Sequence, residues 1–140
     1  MKNSFSFIGI VLLMLSMSAC SDPDAATQLT DGIWNFRNMT TDSEDETITG
    51  MIALGKALLT DATMEFQSDK TYMMDSPLLA EPETGTWSLI GEDQLILTPD
   101  DGYPSTANIE ELTKDKLTYI ETYVNQEMNT YSVTTTWARK

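Results

Sequence analysis

Along most of this chain apolar and polar residues alternate with period two, and short polar turns interrupt the alternation. That is the signature of half-buried strands. It predicts strands over residues 33–38, 62–67, 71–75, 86–90, 94–98, 106–112, 116–124 and 128–138. Trp34 and Phe36 share a face of the first, Phe66 lies in the second, Tyr72 in the third, Trp87 in the fourth, Tyr119 in the seventh and Tyr131 in the eighth. The breaks are turn-rich: Ser68-Asp69-Lys70, Gly91-Glu92-Asp93, Thr113-Lys114-Asp115 and Asn125-Gln126-Glu127, with proline-containing loops near Pro77, Pro82, Pro99 and Pro104. Each strand is followed by its neighbour in sequence, which favours an antiparallel meander. Closing that sheet on itself removes the exposed edges. The expected fold is therefore all-β, a small eight-stranded antiparallel meander barrel.

One stretch breaks the alternation. Around residues 51–60, Met51, Leu54 and Leu58 fall on one helical face with Ile52 and Leu59 beside it. This predicts a short helical insertion that turns this apolar face to the barrel as a plug. A lid over a pocket is the alternative.

The other long apolar run, Phe5 to Leu15, follows Lys2 and precedes Met17-Ser18-Ala19-Cys20. It is shorter than the ~20 residues that span a bilayer. A charged start, an apolar core and small residues before a cysteine resemble a bacterial lipoprotein signal. On that pattern residues 1–19 are a signal peptide and Cys20, the only cysteine, is the lipidated first residue. Several acyl chains anchor a protein stably, at ~0.8 kcal/mol per buried methylene. Ser21 stands where an aspartate would hold the protein at the inner membrane, so the expected location is the outer membrane, facing periplasm or cell surface. Residues 20–30 read as a lipidated polar tether, and 31–140 as the folded domain.

Composition narrows the chemistry. Twenty-two acids face eight bases, a formal charge of −14. Such a surface repels nucleic acid. There is no histidine, which removes the usual His-based triads and, with Cys20 committed to lipid, the usual Cys/His zinc sites. No metal or other cofactor is expected. Asp42-Ser43-Glu44-Asp45-Glu46 has neither the spacing nor the turn glycine of a calcium loop and reads as a solvated loop. A carboxylate hydrolase would need two acids facing one cleft, at least one with a raised pKa; no local pattern isolates such a pair.

Gly32-Ile33-Trp34, the hairpin Phe66-Gln67-Ser68-Asp69-Lys70-Thr71-Tyr72, Gly85-Thr86-Trp87-Ser88-Leu89 and the junction from Ile109 to Leu117 together resemble the lipocalin-like lipoproteins of Bacteroidota. The resemblance covers nearly the whole chain after Cys20. It implies that Trp34 packs under a basic residue from the last strand, Arg139. It also implies a barrel whose inward aromatics, Trp34, Phe36, Phe66, Tyr72, Trp87, Tyr119 and Tyr131, either line a ligand cavity or fill the core. Lys70 departs from the glycine common in that hairpin. The expected function is a non-enzymatic binding module on the outer membrane. It would hold a small apolar ligand or an envelope protein. The alternative is a structural or accessory envelope protein with a filled barrel.

Overall fold

The computed structural model describes residues 23–139. The leader and Cys20 lie outside the described residues. Eight strands close into one antiparallel barrel in sequence order: β1 (Ile33–Thr41), β2 (Thr63–Phe66), β3 (Thr71–Asp75), β4 (Glu83–Ile90), β5 (Gln94–Pro99), β6 (Ser105–Leu112), β7 (Lys116–Val124) and β8 (Thr130–Arg139). β1 pairs with β8 to complete the ring. A short helix α1 (Ala25–Thr30) precedes β1, and α2 (Glu46–Leu58) joins β1 to β2.

The barrel has two distinct ends. Both α1 and the three tight turns before β3, β5 and β7 lie at the lower end. The other end, the mouth, carries α2 and the longer connections before β4, β6 and β8.

α1 corrects the tether reading. Asp24 caps it by accepting a hydrogen bond from the Thr27 amide at 2.7 Å, an interaction that offsets an otherwise orphaned helix donor. Leu29 is fully buried in the core. Its carbonyl accepts the Trp34 indole N–H at 3.0 Å. The folded part therefore begins by Ala25, and α1 closes the lower end.

β1 also runs further than its alternation suggested. The register shifts between Phe36 and Asn38. This bulge reverses the parity of the strand: Phe36 opposes Trp137 inside the barrel, and beyond the bulge Met39 opposes Thr135.

α2 is present but turned over. Asp45 caps it, accepting from the Thr47 and Ile48 amides. The face against β1 is Ile48, Ile52, Gly55 and Leu59, of which Ile48 is buried and the rest half-buried. Gly55 lies where a Cβ would come 3.6 Å from Met39 Sδ. Met51, Leu54 and Leu58, expected to face the core, are exposed.

Candidate functional site

The aromatics named from sequence divide by depth. In the lower barrel they pack on one another and on satisfied polar groups. Phe66 meets Trp87 edge-on at 5.7 Å and tilts against Tyr72 at 6.4 Å. Phe36 meets Trp137 edge-on at 5.5 Å. Edge-to-face pairs of this kind contribute ~0.5–1.5 kcal/mol beyond burial. The Trp87 indole donates to the Gln67 carbonyl at 3.0 Å, and the Trp137 indole to the Tyr119 hydroxyl at 3.4 Å. Every tryptophan indole N–H thus has a protein partner. These rings are core, and their volume occupies the lower barrel.

The Arg139 guanidinium lies 4.1 Å from the centre of the Trp34 ring. Its Nη1 donates to the Lys114 carbonyl at 2.8 Å and pairs with Asp31 at 3.4 Å. It fastens the end of β8 to the β6–β7 turn and roofs the tryptophan. Lys70 adopts φ +71°, a left-handed conformation that glycine enters without strain. Its ammonium stands 3.9 Å over the Trp87 ring, a contact that offsets part of the strain.

The upper barrel differs in chemistry. On β7, Leu117 and Tyr119 are buried inside the barrel, and the same strand phase runs on through half-buried Glu121 to Tyr123, which is 39% exposed at the lip. Glu121 sits in register between Ala107 on β6 and Val133 on β8, both buried. It is therefore a carboxylate inside the barrel, one rung above Tyr119 and Thr135. Burial raises its pKa; the Ser105 and Tyr123 side chains partly counter this by hydrogen bonding, and Glu83 adds repulsion. Glu83, on the inward phase of β4, accepts the Tyr72 hydroxyl at 2.8 Å. Gly85 makes room for that tyrosine: a Cβ there would lie 2.8 Å from Cε1 of its ring and 2.2 Å from the Thr98 carbonyl oxygen. Burial, followed by the hydrogen bond to Glu83, raises the Tyr72 pKa. Burial, followed by the charge of Glu121, raises those of Tyr119 and Tyr123. All three phenols stay neutral at physiological pH.

At the lip, Tyr131 is half-buried and stacks on Tyr123 with centroids 5.6 Å apart. A cleft of about 350 Å³ lined by Glu81, Pro82, Glu83, Thr84, Pro99 and Asp100 among others opens on the same rim. Deeper in, Thr135 is buried opposite Tyr119. The mouth thus carries tyrosine rings and two half-buried carboxylates, Glu121 and Glu83, on inward strand phases. Sequence reasoning named Tyr72, Tyr119 and Tyr131 but missed Glu121, Glu83, Tyr123 and Thr135. The signal for Glu121 was present: an acid on the inward phase of a strongly alternating strand.

Among the described residues, no group of three or more His, Cys, Asp or Glu side chains is arranged to hold a metal ion.

A family model described as a lipocalin-like domain matches residues 30–119. The chain belongs to the lipocalin-like domain family. A solved DUF4847-family protein from Bacteroides vulgatus resembles this lipocalin-like chain at 12% identity, with a TM-score of 0.47, over 76% of this chain and 93% of that one. No curated protein matches. The matched stretch contains Tyr72, Glu83 and Tyr119 and stops before Glu121, Tyr123, Tyr131 and Thr135.

Proposed function

We propose that this lipocalin-like chain is a non-enzymatic binding module, held at the bacterial outer membrane by lipid on Cys20, that takes a small organic cation into its mouth. The observation that carries this is half-buried Glu121, on the inward phase of β7 between Tyr119 and Tyr123, with Glu83 near enough to repel it and Tyr72 bonded to Glu83. An ammonium group answers both features. It relieves the desolvated carboxylate of Glu121 and the repulsion from Glu83, and it gains roughly 0.5–2 kcal/mol over a tyrosine face. A purely apolar ligand suits the site less well, because side chains already fill the apolar lower barrel. An eight-stranded barrel has room for one small ligand at most.

The test is titration calorimetry with choline and its uncharged carbon isostere, 3,3-dimethylbutan-1-ol. The expected result is binding of the cation alone, about tenfold weaker or worse in Glu121→Gln. Equal binding of both probes, or of neither, overturns the assignment. The anchor is tested separately: Cys20→Ala is expected to leave the membrane fraction, and retention there contradicts lipidation.

A second reading rests on the same pair. Two carboxylates facing one mouth, one with a raised pKa, are the parts of a carboxylate hydrolase. Cleavage of aryl glycosides that disappears in both Glu83→Gln and Glu121→Gln would establish it. The hydrogen bond that ties Glu83 to Tyr72 favours binding.

A further inference from the structure

α2 has a second face that the barrel does not use. Met51, Leu54 and Leu58 follow the i, i+3, i+7 spacing of one helical stripe and are 63%, 62% and 36% exposed. The turn after β3 extends it. The Ser76 hydroxyl donates to the Leu58 carbonyl, and the Leu78 amide donates to Ser76 Oγ. This brings Leu78, 60% exposed, beside the end of the stripe. Polar residues would serve a solvated helix equally well, because glutamine and leucine have similar helix propensities. Four large apolar side chains on one exposed surface mark an interaction site.

The border of the stripe is acidic. Asp42, Glu44, Asp45 and Glu46 stand at one end, Asp61 and Asp75 at the other, all exposed. Lys56 is the only base on the helix. We propose that this face docks a basic amphipathic segment of another protein, with apolar side chains on Met51, Leu54, Leu58 and Leu78 and bases against the acidic border. The charge argues against two other occupants. A second copy would bring its own 22 acids against the same border. An anionic lipid surface is repelled likewise, and the face lies at the mouth end, whereas the chain continues toward Cys20 from Pro23 at the lower end.

The whole processed chain is tested with two synthetic probes. One is a leucine–lysine peptide with helical leucine spacing; the other is a scrambled peptide of the same composition. Fluorescence anisotropy at physiological salt is expected to show the amphipathic peptide binding at least about tenfold tighter. Met51→Gln with Leu54→Gln is expected to abolish that preference with helix content and thermal stability unchanged. Ile33→Gln, at an exposed site on the opposite end, is expected to leave it intact. Equal binding of the two peptides reduces the effect to charge and overturns the proposal, as does a preference that survives the double substitution. Concentration-dependent dimerisation of the wild type lost in the double variant would assign the face to a second copy. Vesicle binding by a Cys20→Ala chain lost in that variant would assign it to lipid.

Discussion

The lower end and the mouth of this barrel surround their aromatic rings with opposite charge. At the lower end the polar handle of each ring is satisfied by the protein: Trp34 by Leu29, Trp87 by Gln67. Cations sit over the rings from outside, Arg139 on Trp34 and Lys70 on Trp87. At the mouth the cations are absent among the described side chains that face Glu121, and carboxylates take their place. The difference teaches that aromatic content alone does not mark a ligand site. What separates the packed end from the mouth is whether the charge beside the rings already has its counterpart.

Substitutions at each end should separate these roles. The largest expected effect is at the plug. Trp34→Ala should cost about 3–5 kcal/mol, read as a lowered denaturant midpoint, because it removes a fully buried indole and strands Arg139. A change below about 1 kcal/mol would show that the lower end is not packed as described. Leu29→Ala should cost about 2–5 kcal/mol; a neutral result would return α1 to the status of a tether. Gly85→Ala, at the boundary between the ends, should cost about 1–3 kcal/mol by overpacking and displace Tyr72 from Glu83. Lys70→Gly should change stability by less than about 1 kcal/mol, because relief of left-handed strain roughly cancels loss of the contact with Trp87.

Glu121→Gln should act in the other direction. The folded carboxyl has a pKa above its ordinary value, so the native state holds its proton more tightly than the unfolded chain does. Stability then falls as pH rises from the ordinary glutamate value through the raised one. Glu121→Gln should match the wild type in acid and exceed it above that window. Paired denaturation curves across pH check this; parallel curves would show that Glu121 is not desolvated.

Much of the barrel was legible because period two is a geometric property of strands, and turns such as Ser68-Asp69-Lys70 punctuate it. The elements that escaped are those whose evidence is not periodic. α1 has six residues and its burial rests chiefly on Leu29. The bulge at Arg37 adds a single residue, which looks like the end of a strand. α2 was found, but counting apolar residues chose the wrong face. The packed face follows from a start at Asp45 that carries Ile48 toward the barrel. Glu121 was hidden among 22 acids, since its inward phase acquires meaning only once β6 and β8 flank it.

A desolvated Glu121 is the centre of the proposed cation site. Its most direct test is a carboxyl ¹³C NMR titration of Glu121 with and without tetramethylammonium. The expected result is an apparent pKa above the ordinary glutamate value in the free protein, lowered when the cation is present. An ordinary pKa that ignores the cation would contradict it.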